Sequence, residues 1–181
     1  MTPEEYIQLK AFARQDGALL SLLWTGAFIC YIQGLTNPLL AMAAMVLIVV
    51  SPFYTANRLR HFRDDARQGI ISFGRGYAYT VMTFFYAGLL LALVLFVYFN
   101  FMDKGFLLGK FNELISNEHN QKLIQMYGMS DQLHEGLRQL AQMRPIDYAL
   151  NMLTMNIMAG FFLGLPIAAL MQRKSVENVR K

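Results

Sequence analysis

The sequence predicts an all-α, polytopic membrane protein: four transmembrane helices, with an amphipathic helical hairpin outside the membrane between the third and fourth. Three observations carry this. Hydrophobic residues make up 55% of the 181-residue chain and charged residues 15%, against about 25% charged in an average soluble domain. Four apolar stretches are each long enough to cross a bilayer, which takes roughly 20 helical residues. Basic clusters fall on alternate connections, the pattern that fixes membrane orientation, while the long segment from Asp103 to Arg144 balances its five basic residues with five acidic ones.

The chain opens with Thr2, Pro3, Glu4 and Glu5, acidic where the leading region of a secretory signal would be basic. Thr2 at the N-cap, Pro3 at the first helical position and Glu5 at N3 form a capping-box start. The helix they begin is expected to run toward Arg14, with Tyr6, Leu9, Phe12 and Ala13 as apolar contacts. It either continues into the first span or lies on the bilayer surface; its pattern does not decide between the two.

The spans follow at residues 17–34, 35–54, 77–101 and 146–171, within a single membrane domain covering residues 1–181. The first and third contain no charged residue. The second is interrupted only by Pro38 near its start and by Ser51-Pro52 near its end. The fourth is charged only at Asp147. Such stretches are helical because hydrocarbon offers the backbone no partner, so every N–H must bond within its own segment. Tyr77, Tyr79, Tyr98, Tyr31, Tyr148, Phe53 and Tyr54 fall near the span ends, as interfacial aromatic belts do. Trp24 falls mid-span and is expected to pack between helices. Cys30, the only cysteine, reads as a small buried hydrophobe.

Between spans three and four, residues 110–126 carry Phe111, Leu114, Ile115, Leu123 and Ile124, and Gly128 supplies a helix stop. Ser130 is placed to cap a second amphipathic helix to about residue 143, with Leu133, Leu137 and Leu140 on one face. Pro145 restarts the chain at span four. Both helices are too short and too polar to cross the membrane, and a hairpin against the span ends or the lipid interface is expected.

Orientation follows from the basic residues. Arg58, Arg60, Arg63, Arg67 and Arg75 lie between spans two and three; Lys10 and Arg14 precede span one; Arg173, Lys174, Arg180 and Lys181 follow span four. Four spans bring all three clusters to one side, which the positive-inside rule makes cytoplasmic. The same placement explains a pI near 9.3 without a nucleic-acid partner.

The chemistry-bearing candidates are few. Gly160 and Gly164, with Ala168 one turn on, form a small-residue stripe that lets helices approach closely; packing within the chain is favoured over a dimer seam. Asn100, Asn151 and Asn156 are the polar side chains in or beside spans, expected to bond between helices and alternatively to line a pocket. Arg144 and Asp147 are positioned to pair. Arg60, Arg63 and Arg67 share a face if their segment is helical, with Asp64 and Asp65 off it. With Arg75 they are expected to meet anionic headgroups. His119 and His134, beside Glu118 and Glu135, lack the ligand number and spacing of a zinc site, so no metal and no cofactor is expected. Gly74-Arg75-Gly76 has neither the strand context of a dinucleotide site nor the lysine of a P-loop. No charged residue lies in the middle of a span, whereas ion-coupled transport generally needs one.

Gly69-Ile-Ile-Ser72-Phe73-Gly74-Arg75-Gly76-Tyr77, then Phe84-Phe85-Tyr86, then Tyr98-Phe99-Asn100-Phe101-Met102-Asp103-Lys104-Gly105-Phe106, resemble the domain of unknown function 4199 family, small bacterial membrane proteins found chiefly in Bacteroidota. The resemblance implies an inner-membrane location and brings no catalytic residues. The expected function is a non-enzymatic accessory, scaffolding or regulatory subunit, assembled with a membrane-protein partner or with further copies of itself. The alternative is a small transporter or lipid-handling protein. A polar cavity lined by Asn100, Asn151 or Asn156 favours the alternative; an exposed Gly160/Gly164 groove favours the subunit.

Overall fold

The computed structural model describes residues 2–173. Seven α-helices follow one another: α1 (Pro3–Gly34), α2 (Pro38–His61), α3 (Phe73–Val97), α4 (Phe106–Ser116), α5 (Glu118–Met126), α6 (Ser130–Gln142) and α7 (Pro145–Met171). A π-helical turn at Phe62–Ala66 extends α2, and another at Tyr98–Met102 extends α3. Four helices, α1, α2, α3 and α7, are long and apolar enough to cross a membrane, and the protein is a multi-pass membrane protein.

The capping box forms as its residues dictate. Thr2 Oγ1 accepts from Glu5 N, and Glu5 returns the bond to Thr2 N at 2.9 Å. The N-terminal segment and the first span are one continuous helix of 32 residues. At 1.5 Å per residue it is about 48 Å long, longer than the roughly 30 Å hydrocarbon layer. It is therefore too long to lie wholly within the hydrocarbon along the bilayer normal.

Helix α3 is the centre of the bundle, packed on one side against α1 and on the other against α7. Both contacts depend on glycine. A Cβ on Gly17 of α1 would sit 2.8 Å from Thr83 O, and one on Gly160 of α7 would sit 2.7 Å from Phe84 Cβ. Gly164 faces the Tyr77 ring, and Ala168 is fully buried near Gly76. The small-residue stripe of the fourth span is thus spent within the chain.

Helix α2 turns back on α1 through Asn37, whose side chain caps it by accepting from Leu39 N. It meets α7 mainly near its C-terminal end, where Leu59 and Phe62 join Ile167, Leu9, Ala13, Ile71 and Tyr79 in one core cluster. A second cluster, Leu20, Trp24, Phe84, Ala87, Leu91 and Leu95, draws its buried residues from α1 and α3 alone. Toward the Pro38 end, α2 and α7 are therefore not joined by a shared core. Pro52 lies at the start of that stretch and lacks the N–H that would close the helical bond to Ile48.

The segment between the third and fourth spans holds three helices where two are expected. Asn117 interrupts the first: its backbone is extended (φ −67°, ψ 131°) and its side chain caps α5 by accepting from His119 N. Gly128 ends α5 at φ +64°, as a stop residue does. Ser130 is the first residue of α6, with Met129 in the cap position; the serine cap does not form. Arg144 and Asp147 do pair, closing a capping box at the start of α7.

The two ends of the bundle differ. At one, a β-bridge joins Ile71 to Arg173 and Glu5 meets Arg67 and Arg75. This basic end gathers the start of α1, the α2–α3 connection and the exit from α7. The α1–α2 turn and α4–α6 occupy the other end. Residues 174–181, including Lys174, Arg180 and Lys181, lie outside the described residues.

Candidate functional site

Two features could carry function: a buried ionic cluster at the basic end and a cavity at the other.

The ionic cluster centres on Asp16, 1% exposed. Arg58 Nε donates to Asp16 Oδ1 at 2.6 Å, and the Tyr79 hydroxyl donates to Asp16 Oδ2. Counting 1.5 Å per residue from Gly34, Pro38 and Tyr98 puts all three about 27–30 Å from the opposite end. That is about the full thickness of a hydrocarbon layer of roughly 30 Å. A carboxylate survives burial there because a cation and a hydroxyl occupy its oxygens. One level further out, Arg67 Nη2 and Arg75 Nη2 donate to Glu5 at 2.8 and 2.6 Å. Glu5 stands on the part of α1 beyond the hydrocarbon. The Thr2 backbone N–H, then Arg67 and Arg75, hold its carboxyl down to about 2, so it stays ionised and the clamp stays charged.

The expected basic stripe at Arg60, Arg63 and Arg67 does not form. A π turn advances more residues per turn than an α-helix, so the i, i+3, i+7 alignment fails across Phe62–Ala66. Arg63 is buried, donating to Asp64 at 2.7 Å and to Met171 O at 3.0 Å. Arg67 and Arg75 are turned to Glu5. Arg60 alone of the four keeps a mostly exposed side chain, 66%, with Asp64 3.6 Å away. Asp64, expected off the stripe, lies between Arg60 and Arg63.

The cavity has a volume of about 600 Å³, within the roughly 300–1,000 Å³ of small-molecule sites. Its floor is near mid-bundle, at Trp24, Ser51 and Phe84. Its walls are α2 at Ile48 and Pro52 and α7 at Met152, Met155 and Asn156. Leu107 and Phe111 of α4 and Leu140 of α6 roof it. Ile48 and Met155 are 58% and 69% exposed, so the gap between α2 and α7 opens sideways, at membrane depth. At the π turn Tyr98–Met102, Tyr98 meets Phe28 edge-on, and Phe99, which also contacts Phe28, stacks on Tyr148 at the cavity rim, centroids 4.1 Å apart. Tyr148 also ties roof to wall, its hydroxyl donating to Leu140 O at 2.9 Å.

Trp24 packs between helices as its mid-span position predicts. Its Nε1 donates to Ser51 Oγ at 2.8 Å, and its ring meets Phe84 edge-on. Ser51 Oγ in turn donates to Leu47 O. Asn100 and Asn151 are exposed. Asn156 lines the cavity, and its buried Nδ2 has no hydrogen-bond partner. A second groove of about 550 Å³, between α1 and α3, is lined by Ile29, Ile32, Val94 and Val97 among others. None of the three orphaned buried side-chain atoms found among the described residues belongs to its lining. Among those residues no group of three His, Cys, Asp or Glu could hold a metal; His119 and His134 are exposed on α5 and α6.

Sequence reasoning missed Asp16. The available signal was depth: Asp16, Arg58 and Tyr79 are equally far from their helix ends, so an antiparallel bundle brings them level. The cavity had no such signal, because its walls are ordinary apolar residues.

The family profile for Protein of unknown function (DUF4199) matches residues 17–173 of the chain. No curated protein and no solved structure matches it.

Proposed function

The chain belongs to the DUF4199 family, and from that premise we propose that it is a non-enzymatic membrane protein that binds a lipid-like molecule. The observation that carries this reading is the cavity between α2 and α7, open toward the bilayer and closed above by α4 and α6. Its lining is aliphatic and aromatic, with amide and hydroxyl groups, and among the described residues it holds no carboxylate, imidazole or amine to perform acid–base or nucleophilic chemistry. A hydrocarbon chain is the occupant such a cavity suits: the surrounding medium supplies it, and burying it there costs no desolvation of polar groups. The subunit reading loses its motivating feature, since Gly160, Gly164 and Ala168 face α3 and its neighbours and offer no open groove.

The protein resides, in this reading, in a bacterial inner membrane with its termini in the cytoplasm. Support comes from Lys10, Arg14, the α2–α3 arginines and Arg173, which collect at one end. Among the described residues, Lys10, Arg14, Arg60 and Arg173 are exposed at this end and offer a basic surface to anionic headgroups, each worth about 1 kcal/mol at such a surface.

Trp24 gives the test. It is the only tryptophan, 7% exposed, and lines the cavity floor. In bilayers of phosphatidylcholine brominated along its acyl chains, its fluorescence should be quenched despite its burial. Ala159→Phe, which adds volume at the cavity wall, should relieve the quenching. Unquenched fluorescence in the unmodified protein overturns the reading.

A further inference from the structure

We infer that the cavity selects a neutral lipophile carrying a carbonyl oxygen, held by the side-chain amide of Asn156. This deepens the lipid-binding reading and rests on it.

Most polar groups of the cavity are already used. Trp24 Nε1 is bonded to Ser51, Ser51 Oγ to Leu47 O, and the Tyr148 hydroxyl to Leu140 O. Each is satisfied by the protein itself, and Tyr31, the remaining hydroxyl of the lining, is on a residue 42% exposed. Asn156 Nδ2 is buried and has no partner. A buried amide left unbonded is costly, and more so where no water reaches it. Asn156 is nonetheless closely seated: a Cβ on Gly88 of α3 would lie 3.0 Å from Asn156 Cβ. The missing side chain at Gly88 is what allows the amide to stand against α3 at the cavity wall. A buried N–H donor in a mainly apolar cavity calls for an acceptor on the occupant.

The lining also restricts the occupant's charge. Among the described residues no lysine, arginine or histidine contributes to it, so an ionised carboxylate or phosphate would be buried without a counter-charge. Depth excludes the ester groups of ordinary phospholipids at rest. Asn156 lies two helical turns beyond Tyr148, about 12 Å deeper. The acceptor must therefore be uncharged and able to sit well below the headgroups, and a carbonyl, the strongest of the neutral oxygen acceptors, meets this in the ester of an uncharged acyl lipid or in a tailed quinone.

The experiment titrates three probes into the purified full-length protein in detergent and reads Trp24 quenching: a bromoalkane, the methyl ester of a brominated fatty acid with the same chain length, and a benzoquinone with an alkyl tail. At least one carbonyl probe should bind about fivefold to tenfold more tightly than the bromoalkane, the range one buried hydrogen bond supplies. The stronger of the two identifies the source of the carbonyl. In Asn156→Leu that preference should vanish while the bromoalkane still binds. Should this variant fail to fold, the infrared carbonyl stretch of the methyl ester bound to the unmodified protein serves instead. Its shift to lower frequency relative to free ester supports the hydrogen bond, and an unshifted band overturns it. Equal binding of all three probes overturns the role of Asn156 and leaves the cavity reading standing. Absence of quenching by every probe removes the cavity reading itself.

Discussion

Replacing Asp16 by alanine should destabilise the bundle by about 3 kcal/mol. Two losses make up the figure. The Tyr79 hydroxyl, on a residue with no exposed surface, loses its acceptor in a place water does not reach, at about 1–3 kcal/mol. The bond from Arg58 is charge-assisted, worth roughly 1.5–3 kcal/mol at full burial. Arg58 is 30% exposed and can recover hydration, which reduces its share to about 1 kcal/mol. Asp16→Asn keeps an acceptor for Tyr79 and gives up the charge, so its cost should be nearer 1 kcal/mol. Tyr79→Phe removes the donor and leaves Asp16 with Arg58 alone, at about 1–2 kcal/mol. The double variant Asp16→Ala/Tyr79→Phe should be more stable than the sum of the singles by about 1 kcal/mol, because removing both partners leaves no orphaned hydroxyl. The measurement is the unfolding free energy in mixed micelles, from titration with a denaturing detergent. A loss below about 0.5 kcal/mol for Asp16→Ala, the range of ordinary surface substitutions, would refute the argument. So would strict additivity in the cycle.

Alanine at Gly160 should cost about 1–3 kcal/mol, the range for overpacking, because its Cβ meets Phe84 Cβ at 2.7 Å where two backbones must part. Alanine at Gly164 should cost less, since the nearest atoms at 3.1 Å belong to the outer part of the Tyr77 ring, which can turn aside; melting in detergent that reversed this order would contradict the α3–α7 packing. For orientation, cysteine at Asp65 or Ser116 in a Cys30→Ala background should react differently with an impermeant thiol reagent on cells whose outer membrane is permeabilised. Only Ser116→Cys should be labelled, and labelling of Asp65→Cys alone would invert the protein in the membrane.

The amino-acid sequence by itself determined the parts of this protein that follow from local rules. Uninterrupted apolar length sets four spans, because hydrocarbon forces each segment into a helix. Thr2, Pro3 and Glu5 set a helix start, and Gly128 and Pro145 set a stop and a restart, because their backbone chemistry acts within a turn. Membership of the DUF4199 family was also legible, in Gly69–Tyr77 and Tyr98–Phe106. Tertiary structure decided what depends on residues far apart in the chain. Arg63, Arg67 and Arg75 read as a basic surface until Glu5, Asp64 and Met171 O came within reach of them. Asp16 stands one residue before the apolar run of the first span, and its place in the structure came only from Arg58 and Tyr79 arriving at its depth. The π turn at Phe62–Ala66 broke a stripe that α-helical counting required, since one extra residue in a turn shifts every side chain after it. The cavity was invisible for a different reason. It is the space left where α2 and α7 share no core, and a gap between helices has no residue pattern of its own.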